Sequence, residues 1–196
     1  MNKLFCVMMV AVAAMLLAAP AWSIPWPANT TVTWYHALDD SAIGVCPAGD
    51  FSQLDVTVRD QDNQPMGGYP IAATFSNALI KANPGGGQIF TGIADAAGHV
   101  RIPIAAGVDN SGLVAIQSDV TVTCGPYTIK IYYDLFVVSP DYDASYYVDA
   151  ADYSVFGSHW HINDPTGMKD CASDFSRDDP RVENADYAVF ISHWHH

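Results

Sequence analysis

Oxygen-bearing side chains recur at alternating positions between residues 141 and 152 of this 196-residue chain. They occupy positions one, three, five, nine and twelve of the stretch and belong to Asp141, Asp143, Ser145, Asp149 and Asp152. Position seven, Tyr147, would contribute its backbone carbonyl. A hard divalent cation takes about 6–8 oxygen ligands from a curling loop of this kind. The stretch therefore predicts a calcium site.

A second acidic stretch begins at Asp174, about thirty residues after Asp141. Its candidate ligands are Asp174, Ser176, Asp178, Glu183 and Asp186. It has one extra residue, which the sequence places near Pro180. All but one of the 21 acidic residues in the chain are aspartate, whose short side chain suits a tight loop. We predict one or two calcium ions, and the alternative that both loops have lost the ion stays open.

The element that must position each loop is a helix, because the same sequence follows both stretches. Residues 148–161 recur with few changes as residues 182–195, which indicates a duplicated loop-helix unit. Each copy has aromatic residues at i, i+3 and i+7, on one helical face. We predict that the two stripes pack against each other; they consist of Tyr153, Phe156 and Trp160 in the first copy and Tyr187, Phe190 and Trp194 in the second.

This repeated unit, over about residues 139–196, resembles a type I dockerin. The loop ends in Asp rather than Glu, a single helix follows, and both recur in register. The resemblance implies a small α-helical module of paired F-hands that binds calcium. It also implies a protein partner, either a cohesin-like β-sandwich or another copy of this chain. Loops of this kind turn through positive φ at position six, where Tyr146 replaces the usual glycine at a cost of about 1 kcal/mol.

Five of the seven histidines lie near the ends of the two predicted helices. A transition-metal site is one interpretation, and His195 and His196 at the end of the chain are its best candidates. His159 and His161 are two residues apart and therefore point to different faces of a helix. We favour the simpler interpretation, in which these histidines supply a cation near the C-terminal end of the helix dipole.

Residues 1–23 have the pattern of a signal peptide. Lys3 provides the positive charge, residues 7–17 form the apolar segment, and residues 19–23 provide the small residues of a cleavage region. We predict a bacterial protein that is secreted or held at the cell surface, and that is not transmembrane once processed. The formal net charge of −13 argues against nucleic acid as a partner.

Residues 24–138 read as short strands separated by turns, with no helical period between them. This pattern predicts a mainly β chain whose larger domain is an antiparallel β-sandwich. The strand and turn at residues 56–65, followed by the hairpin at residues 91–100, resemble bacterial immunoglobulin-like domains of invasin type. That resemblance implies a stalk, spacer or adhesive module.

Three cysteines follow the signal peptide. Cys46 and Cys124 both lie in the β-rich region, and we expect a disulfide between them in an oxidising compartment. Cys171 would then be left over, and it could pair between molecules, bind an unusual partner or be a buried thiol.

No motif for nucleophilic, metalloprotease or phosphate chemistry occurs in the sequence, so we predict that the chain is not an enzyme. We expect a secreted structural or assembly protein whose calcium-stabilised module mediates association, with subunit-to-subunit assembly into an extracellular filament or surface structure as one form. The alternative is a carbohydrate-binding or adhesin module tethered to a partner through its dockerin-like tail. Trp26, Trp34 and Tyr35 would then be the sugar-stacking aromatics.

Overall fold

The computed structural model describes residues 23–38, 41–83, 85–161, 171–176 and 181–195. The predicted signal peptide, apart from Ser23, lies outside these residues. The prediction of a mainly β chain is confirmed, since 40% of the described residues are in strands and 12% in helices. Within the described ranges, neither helix is long and apolar enough to cross a membrane.

Ten strands and two helices make up the described part of the chain. The strands are β1 (Thr31–Tyr35), β2 (Ala42–Gly44), β3 (Gln53–Thr57), β4 (Pro70–Phe75), β5 (Ile80–Ala82), β6 (Ile89–Ile93), β7 (His99–Pro103), β8 (Ala106–Val108), β9 (Ile116–Cys124) and β10 (Tyr127–Val138). The helices are α1 (Ala150–His159) and α2 (Asn184–Ser192).

The strands form two main sheets and a short ribbon. The first sheet has the order β1-β3-β7 and the second the order β2-β10-β9-β4-β6, while β5 pairs with β8. All pairs are antiparallel except that of β2 with β10. Strand β10 is the longest, and it ends at Val138, where the helical part of the chain begins.

The two main sheets share one hydrophobic core because their strands alternate in polarity. Leu54 and Val56 of β3 are fully buried, whereas the residues between and beside them are only half-buried. They belong to the same cluster as Ile71 of β4 and Val122 of β9, which come from the other sheet. Burying each such side chain contributes about 1.5–3 kcal/mol, so this shared core is the main source of stability in the β region.

A second hydrophobic cluster joins the helices to the β region. It is centred on Phe156, Phe175 and Phe190, which are almost completely buried. Phe51 and Phe136, from the β region, pack against the same cluster. The helical part is therefore built onto the sheets through a shared core.

The disulfide expected between Cys46 and Cys124 is not formed, because β10 holds the two residues apart. Both are buried free thiols. Cys124 pairs with Tyr127 at one end of β10, whereas Val138 at the other end pairs with Gly44, two residues before Cys46 in the chain. A strand of this length spans more than about 30 Å, while a disulfide needs Cα atoms within about 7 Å. Cys171 is buried and lies at a backbone bridge with Val114.

Candidate metal loops and helix pair

The first acidic loop brings three of its predicted ligands together. Carboxylate oxygens of Asp141, Asp143 and Asp152 all lie within 4.8 Å of one another. Asp141 and Asp152 are buried, whereas Asp143 is exposed. Positions one, three and twelve of the loop thus face one centre that is open to solvent on the Asp143 side.

Backbone N–H groups fix the two buried carboxylates in place. The Oδ1 and Oδ2 atoms of Asp141 accept hydrogen bonds from the amides of Ser145 and Tyr146, at 3.1 and 3.0 Å. Those of Asp152 accept from the amides of Tyr142 and Asp149, at 2.7 and 2.9 Å. Each carboxylate oxygen has more than one lone-pair direction, so these bonds orient the oxygens and leave room for a cation.

The electrostatics of this loop favour a cation. Burial, together with the charges of Asp152 and Asp143, raises the pKa of Asp141 to about 7, although the amides of Tyr146 and Ser145 oppose the shift. Burial also raises the pKa of Asp152. Carboxylates that disfavour one another's ionisation are stabilised by a divalent cation placed between them.

The backbone of the first loop takes left-handed conformations at two positions. Tyr146, at position six, has a φ of 74°, and Ala144 has a φ of 52°. A bulky residue with positive φ costs about 1 kcal/mol or more, and such conformations persist where the surrounding structure imposes them. The left-handed turn predicted at Tyr146 is present despite the absence of glycine.

The remaining positions of the first loop have separate roles. The Ser145 hydroxyl donates to the Tyr147 carbonyl oxygen at 3.2 Å, so the oxygens of positions five and seven are neighbours. Asp149 accepts from the amide of Ala151 at 2.8 Å and caps α1. Position nine of such a loop often reaches the ion through water, which is compatible with this capping role.

The second loop repeats the last part of the first. Asp186 is buried, and its two oxygens accept from the amides of Ser176 and Glu183, at 2.8 and 2.9 Å. These are the equivalents of the two bonds to Asp152. Ser176 and Glu183 are half-buried, Asp174 is buried, and Asp178 lies outside the described residues.

The two loops differ at their first position. The donor and acceptor of the equivalent bonds are ten residues apart in both loops, so Ser176 corresponds to Tyr142. Phe175 then takes the place of Asp141, and Asp174 falls one residue early. Phe175 is buried and stacks on Phe156 with ring centroids 6.1 Å apart. By this correspondence the extra residue precedes Ser176, whereas the stretch around Pro180, where the sequence placed it, lies outside the described residues. Among the described residues, the first loop is the one in which three carboxylates converge.

The helix pair has approximate two-fold symmetry about one aromatic contact. Phe156 and Phe190 stack with centroids 4.9 Å apart. The contacts around this stack occur in equivalent pairs: Tyr153–Phe190 and Phe156–Tyr187 are both 6.2 Å, and Tyr153–Trp194 and Trp160–Tyr187 are 6.3 and 6.2 Å. The six residues predicted to pack together all take part.

Backbone bonds follow the same symmetry. The amide of His161 donates to the carbonyl of Val182, and the amide of His195 donates to the carbonyl of Val148, both at 3.0 Å. Each repeat thus fixes the start of the other. The two copies form one interlocked unit.

The helix pair leaves an aromatic groove of about 400 Å³ on its surface. It is lined by Tyr153, Phe156, Gly157, Trp160, Asn184 and Tyr187. Tyr153 and Tyr187, which are equivalent residues of the two repeats, are exposed although they pack on the central phenylalanines. We call this surface the aromatic face.

A buried polar network was not visible in the sequence. The Ser173 hydroxyl lies 2.5 Å from the Tyr142 hydroxyl and 2.6 Å from His159 Nδ1. Burial lowers the pKa of His159, so this buried histidine is not the helix-end cation that the sequence indicated. Ser173 belongs to neither ligand set, and nothing in the spacing of the repeat marks it.

The candidate sugar-stacking residues are partly engaged elsewhere. Trp34 packs against Tyr132 and Phe75, with centroids 5.7 and 6.4 Å away. The ring of Tyr35 contacts the guanidinium of Arg101 and stacks on His36. Trp26 is exposed. Together they do not form one aromatic platform.

The sequence matches none of the protein-family models, and none of the curated proteins with which it was compared resembles it closely enough to count as a match. The site is therefore interpreted from its own residues.

Proposed function

We propose that this chain is a secreted, non-catalytic assembly protein. Its β region would be an immunoglobulin-like sandwich, and its duplicated loop-helix unit a dockerin-like module that calcium stabilises and a protein partner recognises. The observation that carries the proposal is the convergence of Asp141, Asp143 and Asp152 in a curled loop directly before a helix of the aromatic face. Loop and face belong to one duplicated unit, so an ion that orders the loop would also position the face that the partner recognises.

One calcium ion in the first loop would provide the positive charge that these carboxylates need. Asp141, Asp143 and Asp152 would hold it, with Ser145 and the Tyr147 carbonyl as further oxygen donors. Calcium binding by these residues would fix the start of α1 and, through the shared core, the position of α2. A helical module of this size has too little apolar core to be secure alone, so an ion contributes directly to its folding.

The aromatic face fits a partner with a flat, partly apolar surface. A β-sheet offers such a surface, and this chain carries one: Ile89 and Ile93 of the edge strand β6 are among its most exposed apolar residues. A second copy of the chain is therefore a natural partner. Docking of the aromatic face of one copy on the sheet of the next would be a head-to-tail contact, and such a contact forms a filament when it does not close into a ring.

The experiment that tests this function is light scattering after size-exclusion chromatography, in millimolar calcium and in metal-depleted buffer. We expect the mass to rise above that of the monomer only with calcium. Asp152→Asn should abolish the increase, and Asp62→Asn, in an exposed turn of the β region, should leave it unchanged. A monomer under both conditions at high concentration, with no calcium bound by calorimetry, would overturn the proposal.

A further inference from the structure

A second group of metal-binding side chains lies where α2 meets the β region, away from the acidic loops. Cys46 Sγ, Asp50 Oδ1 and His193 Nε2 all lie within 4.8 Å of one another. The Sγ–Oδ1 distance is 2.8 Å and the Oδ1–Nε2 distance is 3.7 Å. Thiol, carboxylate and imidazole together form a different donor set from the all-oxygen calcium loop.

The tautomer of His193 suits metal binding. Its Nδ1 atom lies 2.9 Å from the carbonyl oxygen of Val189, one turn earlier in α2. A carbonyl oxygen only accepts hydrogen bonds, so Nδ1 carries the proton in the neutral ring, and Nε2 presents its lone pair towards Asp50. Metal-binding histidines commonly have this arrangement, in which a backbone carbonyl holds the other ring nitrogen.

The backbone holds the other two ligands in place. Residues 46–49 form a turn closed by a 3.0 Å bond from the amide of Gly49 to the carbonyl of Cys46, and Gly49 has a φ of 74°. The turn brings Asp50 back beside Cys46. Cys46 is fully buried and the ring of His193 packs on Phe51 at 4.8 Å, whereas the Asp50 side chain is 57% exposed. An ion and a water could therefore enter from the Asp50 side.

We propose that Cys46, Asp50 and His193 bind a transition-metal ion of the Zn²⁺ type, with the fourth position open to water. Tetrahedral zinc bonds of about 2.0–2.3 Å place ligand atoms about 3.3–3.8 Å apart. The carboxylate–imidazole distance already has this value, and the thiol–carboxylate pair would separate slightly as the thiol proton is released to solvent. Thiolate and imidazole favour zinc over calcium, so the two sites would select different ions.

The arrangement does not suit a nucleophilic cysteine. The Cys46 thiol donates a hydrogen bond to Asp50. Burial is the main cause that raises the pKa of this thiol to about 12, and the hydrogen bond adds to the increase. A catalytic cysteine needs the opposite shift. A metal ion, by contrast, binds the thiolate itself and also ties the end of α2 to the loop after β2. The site would therefore connect the helical module to the β region.

Cobalt titration of the untagged protein in millimolar calcium tests this site. Co²⁺ bound to a thiolate absorbs in the near ultraviolet through sulfur-to-metal charge transfer. We expect one equivalent to produce this band and Zn²⁺ to remove it. The band should be lost in Cys46→Ser and kept in Cys124→Ser, a matched buried thiol. Because calcium is present throughout, failure here would leave the calcium proposal standing.

Two further variants keep the test decisive if Cys46→Ser does not fold. Asp50→Asn changes an exposed residue and should weaken cobalt binding by about tenfold or more with the circular dichroism spectrum unchanged. His193→Gln should do the same. Absence of the charge-transfer band in the native protein, or its undiminished persistence in both Asp50→Asn and His193→Gln, would overturn the proposal; persistence would mean that a thiolate binds cobalt without Asp50 and His193, for example the thiolate of Cys171.

Discussion

Phe156 and Phe190 stack with ring planes 22° apart at the centre of the helix pair, and each is the counterpart of the other in the duplicated sequence. The contact is therefore one that a single repeat cannot make. Both rings are almost completely buried, and Phe175 covers the Phe156 side. The duplication supplies the core that one loop-helix unit lacks.

Removing either ring should therefore destabilise the module strongly. We expect Phe190→Ala to lower the free energy of unfolding by about 3–5 kcal/mol, because it leaves a cavity at the symmetry centre. Chemical denaturation monitored by circular dichroism measures the change. Ile191→Ala, at the exposed neighbouring position, is the control and should change stability by less than about 0.5 kcal/mol. Equal losses in the two variants would contradict the central role of the stack.

Calcium stoichiometry tests the correspondence between the two loops. Since Phe175 replaces Asp141 at the first position, we expect calorimetry to find one strongly bound calcium ion. Asp152→Asn should abolish binding of this ion. Asp186→Asn, the equivalent change in the second loop, should still bind the ion but should lower the stability of the module. Two strong sites of similar affinity would show that Asp174 serves the second loop after all.

Sequence patterns predicted the parts of this site that depend on local spacing. The alternating oxygens of the first loop and the i, i+3, i+7 aromatic stripes follow from backbone periodicity, which a sequence displays directly. The positive φ of Tyr146 was predictable for the same reason. The immunoglobulin-like and dockerin-like assignments go further than these elements and remain proposals.

The sequence failed where long-range geometry decides. Cys46 and Cys124 share the β region, but only the pairing of β10 shows that its length separates them. His159 and His193 are equivalent in the repeat, yet one contacts Ser173 inside the module and the other reaches Asp50 in the β region. The shared core makes the surroundings of the two copies different, and no local pattern records that.

The pH dependence of stability should change sign with calcium. Because the pKa of Asp141 is raised to about 7, the folded metal-free protein binds a proton more readily than the unfolded chain does. Its stability should therefore rise as pH falls from about 7 towards about 4. Calcium competes with that proton, so the stabilisation by calcium should decrease over the same range.

Thermal unfolding in metal-depleted and calcium-containing buffers at a series of pH values measures both effects. Asp141→Asn provides the control, because it removes the titrating group and should flatten the metal-free profile. Asp152, whose pKa burial also raises, faces Asp141 across the loop and would contribute the residual slope. A calcium effect that grows towards acidic pH would contradict this assignment of the ligands.

Head-to-tail assembly can be separated from other association by mixing two variants. Tyr187→Asp places a charge in the aromatic face, and Ile93→Asp places one on the exposed edge strand β6 of the partner sheet. We expect each variant alone to remain monomeric in calcium. Each retains the surface that the other has lost, so an equimolar mixture should form a one-to-one dimer and no larger species. The masses of the variants and of their mixture are measured by light scattering. Calorimetry should show unchanged calcium binding in both variants. Tyr127→Asp, at the exposed first position of β10, is the matched control and should assemble like the native protein. If Ile93→Asp assembles like the native protein and Tyr187→Asp does not, the aromatic face binds a surface other than β6. If both variants assemble like the native protein, the aromatic face is not the docking site.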